Sequence, residues 1–156
     1  MDAPGPKRKG ADLREEEIVR YSRSIILPEV GIEGQGRLRS SGALVVGAGG
    51  VGSAPLLYLA AAGLGRIGIA DPDTVEISNL QRQIVHSAAD AGRAKVESAA
   101  DRIRSLNPWC DVATFRERVV ASNVRALLRG YDVVLDGSDN FPTRYLLNDA
   151  CVLAGK

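Results

Sequence analysis

Residues 43–52 read ALVVGAGGVG, a short apolar run that passes directly into a glycine-rich turn. An apolar run of this length that stops at glycine is typical of a buried parallel strand. In the turn, Gly47, Gly49, Gly50 and Gly52 allow a tight bend and a close backbone approach, and the N–H groups at the start of a following helix attract phosphate. The stretch therefore predicts a strand, a phosphate-binding turn and a helix. Glycines that merely let the helix pack against the strand would give the same sequence pattern.

The segments after this turn repeat the alternation of strand and helix. Apolar runs predict three further strands, at 66–70, 111–119 and 132–135. Helical periodicity and stop signals predict four helices, at 51–62, 89–106, 124–129 and 143–154. Right-handed crossovers would place the strands in the order 3-2-1-4. We therefore expect an α/β fold with a doubly wound, Rossmann-like parallel sheet.

The sequence predicts three parts: two segments that precede the sheet, and the domain that contains the sheet. Residues 1–11 are rich in Pro, Gly and Lys, a composition typical of a disordered tail. Residues 12–41 predict a helical arm, because apolar side chains repeat at helical spacing from Ile18 towards Pro28 and a short glycine-flanked segment follows. Residues 42–156 form the Rossmann-like domain.

Composition and charge exclude several classes of partner. Lys and Arg total 20 and Asp and Glu total 19, so the net charge is +1 and neither nucleic acid nor an anionic membrane is expected as the main partner. No apolar stretch is long enough to span a bilayer, and the charged N-terminus lacks the core of an export signal. Cys110 and Cys151 form no CxxC pair, so we expect a reducing, cytoplasmic setting.

An acidic residue follows the glycine turn at the distance that a nucleotide site requires. Asp71 lies 19 positions after Gly52, close to the roughly 20 at which a carboxylate accepts hydrogen bonds from a ribose. A turn cap beside Pro72 is the other interpretation of Asp71, and the spacing disfavours it. Asp73 either shares the sugar or caps the turn, and the two interpretations are equally supported.

Amide and cationic side chains further along favour a phosphate chain that carries more charge than a dinucleotide. The pyrophosphate of a dinucleotide is served largely by backbone N–H groups, whereas a triphosphate calls for cations. Arg82 can hold phosphate oxygens with two parallel hydrogen bonds, and Asn79 and Gln83 flank it. Lys95 would add a point charge, although the sequence alone favours a solvent-facing helix lysine at this position.

Two further polar residues have less certain roles in the sequence. Asp139, which follows the fourth predicted strand, would hold magnesium on the phosphates or cap the next helix. His86 is the only histidine and has no recognisable partner, so we interpret it as a surface or locally hydrogen-bonded residue and not as a base.

Two alternatives to a triphosphate enzyme remain open. An NAD-dependent dehydrogenase explains the glycines and Asp71 but gives no task to Asn79, Arg82 and Lys95. A non-catalytic nucleotide-binding and dimerisation module uses the same residues without any turnover.

Five ordered motifs make the chain resemble the adenylating enzymes of the MoeB/ThiF type, a superfamily that also contains the adenylation domains of ubiquitin-activating enzymes. The resemblance begins at Arg20-Tyr21-Ser22-Arg23 and runs to the end of the chain. Its five motifs occupy residues 47–52, 71–75, 78–83, 95–97 and 136–140.

The resemblance implies an ATP site in the Rossmann-like domain. By resemblance, Asp71 would bind the ribose. The phosphates would be contacted by Asn79, Arg82 and Lys95. Asp139 would serve Mg²⁺ and the reacting centre, so the implied ligands are ATP and magnesium.

The resemblance also implies partners and a reaction. Arg23 resembles an arginine that family dimers insert into the neighbouring subunit's site, which implies a homodimer. The implied partner is a ubiquitin-like sulfur-carrier protein ending in Gly-Gly, for molybdopterin or thiamin synthesis. Its C-terminal carboxylate would attack the α-phosphate of ATP to give an acyl-adenylate and pyrophosphate.

The resemblance stops short of a whole family member. Members continue with further strands, a region that receives the carrier's tail, often two CxxC pairs that bind zinc, and in many cases a cysteine for later transfer chemistry. This sequence ends at Lys156. We therefore expect a fragment or a truncated member, with no zinc site and no catalytic cysteine in this chain.

Overall fold

The computed structural model describes residues 12–156, and the tail expected at 1–11 lies outside the described residues. Four parallel strands form one sheet, in the order β3-β2-β1-β4. The strands are β1 Gly42–Val46, β2 Arg66–Ala70, β3 Asp111–Phe115 and β4 Val133–Asp136. The predicted doubly wound α/β sheet and its strand order are confirmed.

Seven α-helices accompany the described strands. They are α1 Glu15–Arg20, α2 Ser22–Ile25, α3 Gly31–Ser40, α4 Gly50–Ala61, α5 Lys95–Leu106, α6 Val124–Leu127 and α7 Phe141–Ala154. Among residues 12–156, no helix combines the length and the apolar character needed to cross a membrane.

Both faces of the sheet are covered, and β1 is buried along its whole length. On one face, Val45 packs in a cluster with residues of α4 and α5 such as Leu56 and Ile103. On the other face, Leu44 packs in a second cluster that includes Leu147 of α7. Successive strand residues point to opposite faces, so a central strand with helices on both sides must be apolar throughout, as the run at 43–46 is.

The helix predicted at 89–106 begins later than the sequence indicates. It starts at Lys95, because Gly92 adopts a left-handed conformation with φ +85°. Ala94 is extended and forms a β-bridge with the loop that follows β2. This pairing interrupts helical hydrogen bonding and brings the first residue of α5 next to that loop, which becomes important for the site.

The strand predicted at 111–119 is shorter than expected. It leaves the sheet after Phe115, whose carbonyl accepts the N–H of Asp71 at 3.1 Å. Residues 117–119 therefore form a loop at the carboxyl end of the sheet. The remaining predicted strands and helices of the domain are confirmed with small shifts at their ends.

The N-terminal arm departs from one continuous helix in a way that side-chain contacts explain. The predicted helix breaks at Tyr21, whose buried hydroxyl accepts a hydrogen bond from Asn107 at 2.8 Å. A further helix, α3, forms where the sequence indicates only a short segment. Arg39 of α3 makes a 2.8 Å ion pair with the buried Glu17 of α1. The ion pair holds α1 against α3, and the hydrogen bond to Asn107 holds the arm against the domain.

Candidate functional site

A cavity of about 510 Å³ lies at the carboxyl ends of the four strands. Loops that follow every strand contribute to its wall, and so does the start of α5. In a doubly wound sheet, ligands bind at this edge, beside the point where the strand order reverses. Here the reversal lies between β1 and β4, and the loops after both strands line the cavity.

Two glycines of the turn are required by packing. Gly47 has φ +91°, and a Cβ atom built on it would lie 2.7 Å from the carbonyl oxygen of Gly137. A Cβ atom on Gly52 would lie 1.8 Å from the carbonyl oxygen of Gly47. The packing interpretation of the glycines is therefore correct for these two positions: at Gly47 the loop after β1 touches the loop after β4, and at Gly52 the first turn of α4 touches the glycine turn itself.

The other two glycines face the cavity instead. A Cβ atom on Gly49 would meet nothing nearer than 3.7 Å, and one on Gly50 would make ordinary contact with the Arg82 stem at 3.4 Å. Within residues 12–156, no acceptor takes a hydrogen bond from the N–H of Gly49 or Gly50. Since both residues line the cavity at the start of α4, their N–H groups suit an anionic ligand.

Asp71 lies in the cavity wall and is only 5% exposed. Its Oδ2 accepts the N–H of Ala48 at 2.8 Å, and its Oδ1 accepts the N–H of Asp73 at 2.8 Å. Each carboxylate oxygen can accept more than one hydrogen bond. The side chain therefore holds two loops together and keeps acceptor capacity for a ligand hydroxyl.

Lys95 points into the cavity wall and not into solvent. Only 9% of its side chain is exposed, and its Nζ lies 3.2 Å from Oδ2 of Asp73. The solvent-facing interpretation of this lysine is wrong, because α5 begins at Lys95 beside the loop after β2. Asp73 is 61% exposed at its side chain, so the pair is open to a ligand on one side.

Arg82 and Gln83 line the cavity beside the glycine turn. Arg82 is exposed, and its Nη1 makes one long hydrogen bond of 3.4 Å to the carbonyl of Ser78. Gln83 is 4% exposed, and its Oε1 has no hydrogen-bond partner among the described residues. A buried amide oxygen without a partner is costly, so this group is suited to a ligand or a water molecule.

Asn79 is not brought to the cavity. Its Oδ1 accepts the N–H of Glu76 at 3.4 Å, and its Nδ2 contacts Ser78 Oγ at 3.5 Å within the same short turn. Arg23 is exposed on α2 and does not line the cavity either. Of the predicted phosphate contacts, the structure therefore assembles the glycine turn, Arg82, Gln83 and Lys95.

Asp139 is exposed and lines the cavity after β4. The alternative role for Asp139, as a helix cap, is wrong, because Asn140 caps α7 by accepting the N–H of Thr143 at 3.0 Å. Within the described part of the chain, no group of three or more His, Cys, Asp or Glu side chains could hold a metal ion. A divalent cation near Asp139 would need oxygen ligands from a bound phosphate or water.

The cavity also has lining residues that the sequence did not suggest. Arg144 donates from Nη2 to the carbonyl of Ser138 at 2.9 Å and lies over the ring of Phe141. Its position one turn after Asn140 could have indicated it, once the start of α7 was known. Glu117 and Arg118 also line the cavity. The sequence did not indicate them, because the third strand was predicted to continue to residue 119.

His86 is buried, so its interpretation as a surface residue is wrong, whereas the other interpretation, a hydrogen-bonded residue, is correct. Its Nδ1 lies 2.8 Å from Ser98 Oγ, and its Nε2 lies 3.0 Å from the carbonyl oxygen of Ala48. Burial lowers the pKa of His86, and the nearby charge of Lys95 lowers it further. The ring is therefore neutral near pH 7 and supports the glycine turn from beneath.

Comparison with known proteins agrees with this geometry. The model of the ThiF family matches residues 21–156. A probable adenylyltransferase/sulfurtransferase MoeZ of Mycobacterium tuberculosis is 55% identical over 144 residues, covering 92% of this chain and 37% of that protein. A SAMP-activating enzyme E1 of Haloferax volcanii is 56% identical over 139 residues, covering 89% of this chain and 52% of that protein. The chain thus spans between a third and about half the length of these curated relatives.

A solved structure shares the fold. The tRNA N6-threonylcarbamoyladenosine dehydratase TcdA of E. coli, in complex with ATP, superposes with a TM-score of 0.87 at 31% identity. The match covers 93% of this chain and 59% of that chain.

Proposed function

The chain belongs to the ThiF family, and from this premise we propose that it is the ATP-binding part of an adenylyltransferase. The enzyme would activate the C-terminal glycine carboxylate of a ubiquitin-like sulfur-carrier protein as an acyl-adenylate and release pyrophosphate. One observation carries the proposal: Arg82, Gln83 and Lys95 share a cavity wall with the free N–H groups of the glycine turn.

ATP is the nucleotide that this wall suits best. A triphosphate brings several negative charges, and beside the glycine turn the cavity offers Arg82, Lys95 and unpaired backbone donors at the N-terminus of a helix of twelve residues. The complex of TcdA with ATP supports the same choice. We propose that Arg82 and Lys95 contact the phosphates, with Gln83 completing the wall and Asn79 joining it through movement of its turn.

The sugar would bind at the neighbouring acidic loop. Asp71 lines the cavity with spare acceptor capacity, so it would accept hydrogen bonds from ribose hydroxyls. Asp73 lies two residues further along the same loop. It would either bind the sugar as well or hold Lys95 in place.

The proposed reaction needs no side-chain nucleophile. A carboxylate oxygen of the carrier attacks the α-phosphorus of ATP and forms the new P–O bond. The bond from the α-phosphorus to the oxygen that bridges to the β-phosphate breaks, and pyrophosphate leaves with the electron pair. This chain's part is to hold the phosphates in line and to neutralise charge at the leaving group, which is the larger share of catalysis in phosphoryl transfer.

We propose that magnesium accompanies the nucleotide in this cavity. Mg²⁺ is commonly bound through one or two carboxylates together with substrate phosphates. We propose that Asp139, an exposed carboxylate of the cavity wall, is the protein's ligand. The ion would supply further charge neutralisation at the phosphates.

Assembly and location complete the proposal. Arg23 is exposed outside its own cavity, which is compatible with a homodimer in which it enters the neighbouring site. Cys110 and Cys151 are both free thiols, which supports a reducing cytoplasm as the setting.

Nucleotide binding and exchange together test the proposal. Isothermal titration with ATP and with NAD should show tighter binding of ATP. ATP–pyrophosphate exchange should then appear with a carrier that ends in Gly-Gly and disappear with the same carrier shortened by both glycines. Tighter binding of NAD would favour a dehydrogenase. ATP binding without any exchange would favour a non-catalytic nucleotide-binding module.

A further inference from the structure

Ala48 is the residue of the glycine turn that is held at both of its backbone polar atoms. It is fully buried, and its N–H donates to Oδ2 of Asp71 at 2.8 Å. Its carbonyl oxygen lies 3.0 Å from Nε2 of His86. A turn that is otherwise mostly glycine has few conformational restraints of its own, so hydrogen bonds help to orient it. The N–H of Gly47 donates to Ala70 and the carbonyl of Gly49 accepts from Ser53, while the two hydrogen bonds of Ala48 hold the residue between them.

The partners of His86 determine which ring nitrogen carries the proton. A backbone carbonyl can only accept, so Nε2 must be the donor to Ala48. Nδ1 of the neutral ring is then an acceptor, and it receives the hydroxyl proton of Ser98 at 2.8 Å. Burial lowers the pKa of His86, which agrees with a neutral ring. The carbonyl of Ala48 therefore fixes the tautomer with the proton on Nε2, and the hydroxyl of Ser98 completes the hydrogen bonding of the ring.

The hydrogen bond to Ala48 also orients the next N–H group. Because the described chain has no cis peptide bond, the carbonyl of Ala48 and the N–H of Gly49 point to opposite sides of one planar unit. The carbonyl points inwards to His86, so the N–H of Gly49 points outwards. Gly49 lines the cavity, and its N–H has no acceptor among residues 12–156.

We propose that His86 is a positioning residue for anion recognition: its ring, which donates from Nε2 to the carbonyl of Ala48, holds the peptide between Ala48 and Gly49 so that the N–H of Gly49 faces a phosphate in the cavity. His86 does not touch the ligand and acts only through Ala48. The identity of the ligand as ATP rests on the proposed function, whereas the orientation of the peptide does not.

Two substitutions separate this role from simple filling of the core. In His86→Gln, the side-chain amide nitrogen can reach the position of Nε2 and still donate to Ala48. In His86→Asn, the shorter side chain reaches only the position of Nδ1, so the partner at Ser98 can remain while the donor to Ala48 is lost. The two variants are similar in polarity and differ in the one hydrogen bond that the proposal requires.

Calorimetric titration with ATP, pyrophosphate and adenosine provides the first readout. We expect His86→Asn to weaken the binding of ATP and of pyrophosphate roughly tenfold, because the hydrogen bond from the N–H of Gly49 to a charged phosphate is lost. Adenosine has no phosphate, so its affinity should stay at the wild-type level. His86→Gln should keep all three affinities close to wild type. Equal losses in both variants, or equal losses for adenosine and ATP, would overturn the proposal.

A ligand-free measurement keeps this inference separate from the proposed function. In ¹⁵N relaxation of the unliganded chain, the Gly49 amide should be ordered in wild type and His86→Gln and mobile in His86→Asn. Unchanged order in His86→Asn would overturn the inference even if ATP binds. If wild type binds neither ATP nor pyrophosphate, the proposed function fails, and this comparison still decides the role of His86.

A second variant covers the case in which His86→Asn does not fold. Ser98→Ala removes the partner of Nδ1, so the ring loses one of its two anchors and its hydrogen bond to Ala48 becomes less well oriented. We expect the affinities for ATP and pyrophosphate to fall less than in His86→Asn, and the affinity for adenosine to stay unchanged. Wild-type affinity for all three ligands would contradict a role for the orientation of the ring and, with it, the proposal.

Discussion

Lys95 and Asp73 form an ion pair of 3.2 Å in the cavity wall, although 22 positions separate them in the chain. The lysine side chain is almost fully buried, while that of its partner is largely exposed. The backbone adds to the pairing, because the N–H of Lys95 donates to the carbonyl of Asp73 at 3.0 Å. A buried lysine with one exposed counter-charge is well placed to share its charge with an incoming phosphate.

The first prediction concerns that charge. We expect Lys95→Met to weaken ATP binding roughly tenfold or more, because a buried charge-assisted contact to a phosphate is lost. AMP should be affected less if the ammonium serves the outer phosphates. Lys156→Met removes the same charge at the far end of α7 and serves as the control in calorimetry. A loss of equal size in both variants would show a general effect of net charge.

Arg82 is another cation of the cavity wall and lies beside the glycine turn. We expect Arg82→Ala to weaken ATP roughly tenfold or more, since hydrogen bonds from a guanidinium to a phosphate are among the stronger ones. Arg102→Ala, which removes an exposed arginine on α5, is the matched control in the same titrations. Retained ATP affinity in Arg82→Ala would remove this residue from the proposed site.

The glycine turn should respond differently at two of its positions. Gly47→Ala places a methyl group in a left-handed conformation and against Gly137, so we expect a loss of unfolding free energy of about 1–3 kcal/mol or more. Gly49→Ala meets no close atom, and its unfolding free energy should stay within about 0.5 kcal/mol of wild type. Its ATP affinity should fall, because the methyl group keeps the phosphate from the backbone. Urea unfolding and calorimetry measure the two effects.

Much of the fold was predictable because it depends on local patterns. The apolar run at 43–46 is long enough for a strand and too short for a helix, and right-handed crossovers then leave one strand order. The start of α5 was not predictable, because it depends on a left-handed Gly92 and on a bridge between Ala94 and Thr74. That one boundary decides whether Lys95 faces solvent or the cavity.

The site was predictable where a motif carries its own chemistry and not where distant contacts decide. The glycine turn and Asp71, which line the cavity, could be identified from their spacing, and Arg82, which also lines it, from its charge. His86 could not, since its partners lie 12 and 38 positions away in the chain. Asn140 and Asp139 are adjacent and both suitable as caps, so only the backbone geometry at the start of α7 distinguishes them.

Asp90 gives a prediction for the dependence of stability on pH. Hydrogen bonds from Ser87, above all from its hydroxyl, and from Arg93 lower the pKa of Asp90 from 3.8 to about 2. A lowered pKa in the folded state means that the carboxylate stabilises the fold above the unfolded pKa and that this contribution is lost as the pH falls towards 2. We expect Asp90→Asn to be less stable than wild type near pH 7, with a difference that shrinks between pH 4 and pH 2. A difference that does not vary with pH in urea unfolding would contradict this cause.

Asp71 has two tasks, and a combined experiment separates them. Its carboxylate holds the N–H groups of Ala48 and Asp73, so we expect Asp71→Ala to lose about 1–3 kcal/mol of unfolding free energy. If Asp71 also binds the ribose, wild type should prefer ATP over 2′,3′-dideoxy-ATP, and the variant should lose most of this preference. A ratio of the two affinities that is the same in both proteins would assign Asp71 to the loops alone. The ratio is the informative quantity, because any general weakening of the loop affects both nucleotides equally and cancels.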